Sequence, residues 1–345
     1  VTEMVSAEGL VRGIDRTLEY AEYTEEERPV SIQIFGGDPG RMAEAAQVVE
    51  GMGADIIDVN MGCPVPKIAK HQAGCSLMRT PEHAATVVGA MTRAVSIPVT
   101  VKMRAGWDAT NINAPDVAGL MEDAGAAAVA VHGRTAAQSY RGRSDWGVID
   151  DVARRVSIPV FGSGDCVAPE DLVDRMRETA VAGVLVGRGA LRNPWIFEQA
   201  LALGRGDSAC PVADQERGRF LLAYLDLLLV EGTTEAAGFR HTATVHPKAG
   251  PKRRSARSRE RWVINKLRAL GSWYTKGLDN GSRLRVAMNH AESLDELREI
   301  IRAFFGVSDE ITLPTSENGD RASRGAAALT YHPSLDNHQS LPGGR

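Results

Sequence analysis

The chain has 345 residues, 43% of them hydrophobic and 24% charged, with a formal net charge of -4. That is apolar material for one large domain with a smaller one beside it, and the slightly acidic balance excludes a uniformly basic surface, so a nucleic-acid partner has to be met by a local patch. No apolar run approaches the roughly 20 residues of a membrane helix, and the N-terminus VTEMVSAEGL lacks the basic-then-apolar pattern of a signal peptide.

The four cysteines, Cys63, Cys75, Cys166 and Cys210, form no CxxC pair and no His/Cys spacing suited to a metal. A reduced, cytoplasmic protein without a metal site or a membrane attachment is expected.

Taken in order, short β-branched runs alternate with longer helical patterns up to about residue 205. Strands are predicted at 1–6, 30–35, 55–60, 98–103, 127–132, 158–162 and 182–187, with helices at 41–53, 81–94, 115–124, 169–178 and 190–203. Thr80-Pro81 reads as N-cap and first helical residue, and Ala168-Pro169 opens another first turn. Repeated β-α units imply a parallel sheet, either doubly wound or closed as a TIM-type (β/α)8 barrel. The barrel needs eight strands and seven are legible, so a first strand upstream of Val1 is expected to be missing.

Residues 206–308 read as a separate all-helical domain, with helices at 214–230 and 258–276 and a capping box of Ser293 and Glu296 before a third. The polar, Gly/Ser/Asn-rich stretch 309–345 is expected to be a disordered tail.

Parity within the strands carries the functional reading. Ile32 and Ile34 alternate with Ser31 and Gln33, Ile57 and Val59 with Asp58 and Asn60, and Val99, Val101 and Met103 with Thr100 and Lys102, Arg104 following. Val129 and Val131 likewise alternate with Ala128, Ala130 and His132. The apolar set should face the helices, which leaves Gln33, Asn60, Lys102 and His132 on the interior face of four consecutive strands. A barrel interior is normally filled by branched apolar side chains. A lysine buried there without a partner is unfavourable by several kcal/mol. A polar ligand at the C-terminal mouth removes the conflict; a purely structural polar network is the alternative.

Two glycine loops follow successive strands, Gly162-Ser163-Gly164-Asp165 and Gly187-Arg188-Gly189. Glycines let backbone N–H groups approach an anion, and phosphate sites after the last two strands recur in this fold. Cys63 lies in Asn60-Met61-Gly62-Cys63-Pro64, just beyond a strand end at the mouth. A thiol there can give a proton to a bound ligand, or simply serve as a small buried hydrophobe.

With these residues in view, the chain resembles the tRNA-dihydrouridine synthases, in particular the bacterial B-type branch. The resemblance rests on QIFGGDP (33–39), DVNMGCPVPKI (58–68), AGCSLM (73–78), VKMRAGW (101–107), VHGRT (131–135), SYRGRSDW (139–146), GSGD (162–165), VGRGALRNPWIF (186–197) and WYTKGL (273–278). It implies tightly bound FMN, NADPH as transient reductant, and tRNA as substrate. By it, Cys63 is the proton donor to uridine C5 while reduced FMN gives hydride to C6, in the D-loop of the tRNA. Gln33, Lys102, His132, Ser163, Gly164, Asp165, Gly187 and Arg188 match flavin-contacting positions. Asn60 and Lys67 match positions near the uracil, and Arg134, Tyr140, Arg141 and Arg143 stand where the RNA would be held.

The sequence departs from the family at the missing front strand, at Ser163 where an asparagine is usual, and in an insertion at about 232–258. Nine Lys/Arg residues, among them Arg253, Arg254 and Arg257, stand between Lys248 and Arg268 against the single acid Glu260. Such a patch fits a phosphate backbone. Two other readings compete: a flavin barrel acting on a free pyrimidine, for which a helical RNA-binding domain would be superfluous, and an RNA-binding relative without redox chemistry. A monomer is expected.

Overall fold

A computed structural model of the chain describes residues 1–69, 72–230, 240–241 and 256–308. Its centre is a seven-stranded sheet of β1 (Val5–Ser6), β2 (Ser31–Phe35), β3 (Ile56–Met61), β4 (Val99–Arg104), β5 (Ala128–His132), β6 (Val160–Ser163) and β7 (Gly183–Leu185). Every neighbouring pair is parallel. Each strand lies beside its predecessor in sequence, so the order never reverses. A doubly wound sheet needs such a reversal, whereas continuous winding is the rule of the TIM-type α/β fold. All seven expected strands are present. The first is the most reduced, two residues instead of six, although Thr2 still donates its N–H to the Ser31 carbonyl at 2.9 Å.

The helices between the strands begin where backbone chemistry dictates. Asp38 accepts from the N–H of Arg41 at the start of Pro39–Gly51, and Asp145 accepts from Gly147 and Val148 at the start of Trp146–Arg155. Pro81 opens Pro81–Ala94 as expected, but Thr80 gives no side-chain cap. The single helix expected over 190–203 is two, Arg188–Arg192 and Ile196–Gly204, because Pro194 can neither donate to a helical ladder nor follow a helical Asn193 without a clash. Trp146–Arg155 itself was not among the expected elements.

The strand parity appears as predicted. Ile32, Ile34, Ile57, Val59, Val101, Met103, Val129 and Val131 are fully buried in one cluster with Met42, Ala45, Val49, Val87, Val88 and Met91 from the surrounding helices.

A second apolar cluster joins the helices Asp214–Val230, Ala256–Tyr274, Gly281–His290 and Leu294–Phe305. Leu221, Leu225, Val263, Leu267, Leu284, Met288, Leu297, Ile301 and Phe305 form its centre. The third of these helices was not anticipated. Ser293 accepts from Glu296 N–H at 3.1 Å, while the Glu296 carboxylate reaches back to the N–H of Glu292 rather than to that of Ser293, so the capping box is displaced by one residue. Arg192 ties the clusters together by donating to the Lys276 carbonyl at 3.0 Å. Most of the 232–258 insertion and the whole expected tail at 309–345 lie outside the described residues.

Ile34 has no exposed surface and belongs to the apolar cluster around the sheet. Ile34→Ala is therefore expected to lower the unfolding free energy by about 2–5 kcal/mol in urea denaturation. Val286→Ala, at a position 56% exposed, should stay within about 0.5 kcal/mol.

Candidate active site

The interior face of the sheet is polar at its C-terminal end. Register places Gln33 beside Asp58, Asp58 beside Thr100, and Asn60 beside Lys102. Arg104 lies beside His132, and His132 beside Ser163. Side chains at these positions bond to one another. Gln33 Nε2 donates to Asp58 Oδ2 at 2.5 Å, Thr100 Oγ1 donates to Asp58 Oδ1 at 2.6 Å, and Asn60 Nδ2 donates to Gln33 Oε1 at 2.7 Å. Asn60 Oδ1 in turn accepts from the backbone N–H groups of Gly62 and Cys63, at 3.1 and 2.9 Å.

Cys63 is thereby held in a tied turn. Its carbonyl accepts from the N–H of Cys75 at 3.1 Å. Gly74, at a φ of +61°, makes this approach possible: a Cβ there would lie 2.7 Å from the Cys63 carbonyl oxygen. The Gly62 carbonyl accepts from Arg104 Nε at 2.7 Å, and Arg104 Nη1 donates onward to the carbonyls of Thr135 and Ser139. Arg104 thus fastens the cysteine turn to the loop after β5. It was missing from the sequence-derived site, although the strand parity that singled out Lys102 places Arg104 on the same face.

Charge dominates this interior. Burial pushes the Asp58 carboxyl up and the Lys102 ammonium down, and each is opposed by the presence of the other. Among the described residues the Lys102 ammonium has no hydrogen-bond or ion-pair partner. His132 is pushed from 6.5 down to about 3, first by burial and then by the cations Arg104, Lys102 and Arg134. It is a neutral imidazole at physiological pH.

The glycine loops lie alongside. Asp165 accepts from the Ser144 N–H at 2.7 Å and forms an ion pair with Arg134, while Arg188 stands 3.6 Å from it and its guanidinium lies over the Tyr140 ring at 5.2 Å. Burial opposes ionisation of Asp165, but the Ser144 N–H, Arg134 and Arg188 together hold its carboxyl below the usual range. Gly164, at a φ of +126°, is irreplaceable in place, since a Cβ would collide with Ser144 and crowd His132. Space beside Gly187 is open.

Gln33, Asn60, Cys63, Lys102 and His132 thus share one end of the sheet, with Ser163, Gly164 and Asp165 at its flank. Arg134 is only 3% exposed, and its donors are engaged by Asp165, by the Arg141 and Gly142 carbonyls and by the His132 ring. It braces the loop rather than facing outward. Lys67, Tyr140, Arg141 and Arg143 are exposed. Arg253 and Arg254 lie outside the described residues, as does the side chain of Arg257. Among the described residues no group of three or more His, Cys, Asp or Glu could hold a metal, and no helix is long and apolar enough to cross a membrane.

An unpartnered cation, an amide with an unused hydrogen at Gln33 and a neutral imidazole at one mouth fit a flat ring system with acceptor edges, and the open backbone at Gly187 leaves room for an attached phosphate. The His132 shift also predicts a pH dependence. Because the folded-state value lies below the unfolded one, its contribution to stability is complete above about 6.5 and is lost as pH falls toward about 3. Urea midpoints of the wild type should fall through this window, and those of His132→Gln should fall less steeply.

Comparison with known proteins supplies the context. The chain is 36% identical over 280 residues to the tRNA-dihydrouridine synthase B of Pseudomonas aeruginosa, covering 81% of this chain and 77% of that one. It is 34% identical over 306 residues to the protein of the same name from Xanthomonas axonopodis, covering 88% and 84%. It is 42% identical over 237 residues to a probable tRNA-dihydrouridine synthase of Treponema pallidum, covering 66% and 70%. The model of the dihydrouridine synthase (Dus) family matches residues 1–305. With the match running through both apolar clusters, the chain belongs to the dihydrouridine synthase family.

Proposed function

We propose that the protein reduces the C5=C6 bond of uridine in the D-loop of tRNA to 5,6-dihydrouridine. The observation that carries this reading is the meeting of Cys63 with Gln33, Lys102 and His132 at one end of the sheet. It supports a reading in which Cys63 acts as an acid beside a flat, anionic cofactor. When bound, FMN supplies the hydride that saturates C6, having itself been reduced by NADPH.

The remaining work falls to the chain. Gln33, Lys102, His132, Ser163, Gly164, Asp165, Gly187 and Arg188 hold the cofactor. The Lys102 ammonium, unpartnered in a low-dielectric interior, stabilises negative charge placed against it far better than it would in water. His132, neutral, offers one ring N–H without adding a further charge. Arg134 serves the site through Asp165 and His132. Asn60 and Lys67 face the uracil, and the Cys63 thiol gives its proton to C5.

A uridine inside a tRNA reaches such a mouth only when unstacked and turned out of its neighbours, and the exposed Tyr140, Arg141 and Arg143 stand beside the mouth to hold it there. Residues 1–205 serve as the FMN-binding catalytic domain. Residues 206–308 are the RNA-binding domain, with Arg253, Arg254 and Arg257 on the phosphate backbone. The protein works as a cytoplasmic monomer.

Cys63→Ala should keep the flavin absorbance of the purified protein while dihydrouridine formation in tRNA, read by mass spectrometry, falls by roughly 10²–10⁴-fold. Full turnover would remove Cys63 as the acid. Activity on free uridine equal to that on tRNA would favour the free-pyrimidine reading instead. Replacing Arg253, Arg254 and Arg257 with glutamine should weaken tRNA binding and flatten its salt dependence, by about one unit of slope for each phosphate that is no longer neutralised. An unchanged slope would place the patch off the RNA path.

A further inference from the structure

Asp58 is the one buried carboxylate on the interior face of the sheet among the described residues, 6% exposed, and no step of the proposed reaction uses it. It lies two positions before Asn60 on β3, one layer deeper. Its oxygens accept from Thr100 and Gln33. A carboxylate can only accept, and an amide has a donating end and an accepting end. The polarity of the chain attached to Asp58 is therefore fixed at this end by the carboxylate, in agreement with the donor-only N–H groups at the other end.

With its NH2 group turned to Asp58, Gln33 must present Oε1 to Asn60, and Asn60 must answer with Nδ2. That leaves Asn60 Oδ1 for the N–H groups of Gly62 and Cys63, which need an acceptor. Reversing Asn60 would set donor against donor at Cys63, and reversing Gln33 would set acceptor against acceptor at Asp58. Register makes the chain possible, since Gln33 pairs with Asp58 across β2 and β3 while Asn60 lies one layer above on the same strand.

We propose that Asp58 is a positioning residue for Cys63, an acceptor-only anchor that sets the direction of the amide chain Asp58–Gln33–Asn60 ending on the Cys63 turn. Its importance for turnover rests on the reading of Cys63 as the acid. A second consequence concerns the ligand: Asn60 Nδ2 reaches Met4 Sδ at 3.7 Å as well as Gln33 Oε1, so the amide hydrogen left for a bound ring is the second one on Gln33 Nε2.

The test reads the thiol itself. Alkylation of Cys63 by iodoacetamide is followed by peptide-resolved mass spectrometry in the purified protein, with flavin absorbance and urea midpoint recorded beside it. Asp58→Asn puts at the anchor a group able to present either end, so the direction is enforced only from the N–H groups of Gly62 and Cys63 and the chain's hold on the turn is weakened. Cys63 should then be alkylated about fivefold faster, the factor that about one net hydrogen bond supplies.

The double variant Asp58→Asn with Gln33→Glu moves the carboxylate to position 33. There it accepts both from the introduced amide at position 58 and from Asn60, which keeps its orientation. Reactivity should return to that of the parent. A merely structural role for Asp58 predicts no such rescue.

An Asp58→Asn rate equal to the parent's, or an accelerated rate that the double variant fails to restore, overturns the proposal. Should Asp58→Asn fail to fold, Gln33→Leu cuts the chain in the middle while leaving Asp58 with Thr100. It must then produce the same acceleration, and parent-like reactivity overturns the proposal equally. Because alkylation is read without uridine, its outcome stays separate from that of the Cys63→Ala turnover experiment.

Discussion

The structure turns on the presence of charge in a place built to exclude it. Inside the curve of the sheet, an aspartate, a lysine and a histidine share a space that such folds ordinarily fill with branched aliphatic side chains. Their mutual influence is visible in the shifts. Asp58 and Lys102 each resist the neutralisation that burial urges on the other, and His132, surrounded by three cations, gives up its proton entirely. Desolvation on this scale is tolerated because hydrogen bonds satisfy most of the groups involved. Lys102 is left over, and it is the group that faces the proposed ligand.

The rest of the fold serves this interior. Helices bury the opposite face of β2 to β5 with Met, Val, Ile and Ala, so these strands cannot shift register without exposing an apolar row. A rigid sheet is what allows side chains on neighbouring strands to be placed relative to one another within a few tenths of an ångström. Loops beyond the strand ends are fastened in turn by Arg104, which gives its hydrogen bonds to backbone carbonyls, and by Arg134, which divides its own between the Arg141 and Gly142 carbonyls and the side chains of Asp165 and His132. Arginine suits that task because its planar fork keeps its charge and several donors when buried.

Much of this was legible in the residues. Period-two alternation located the seven strands and separated Gln33, Asn60, Lys102 and His132 from their apolar neighbours, since a strand has only two faces and only one can meet a helix. The winding of the sheet was left open, because alternation is the same in a barrel and in a doubly wound sheet; strand order decides it, and order is a tertiary fact. Arg134 was assigned to substrate because a motif gives no burial, and only the folded chain shows it enclosed. Arg104 was seen to follow Lys102 but was left out of the site, because an arginine at a strand end is ordinarily a solvated one. The short helix at Gly281–His290 carries Ser, Arg and Asn among its apolar residues, so its faces emerge only against the helices it covers.

The turn bearing Cys63 is fastened from three directions: by Asn60 beneath it, by Cys75 through a backbone bond made possible at Gly74, and by Arg104 through the preceding carbonyl. A thiol mounted in this way has little freedom beyond rotation about its own side-chain bond. Any approach between the sulfur and a reacting carbon must then be made by the incoming nucleotide. On the proposed reading, selectivity falls to whatever in the RNA lets one base swing far enough from its stack to reach a stationary acid.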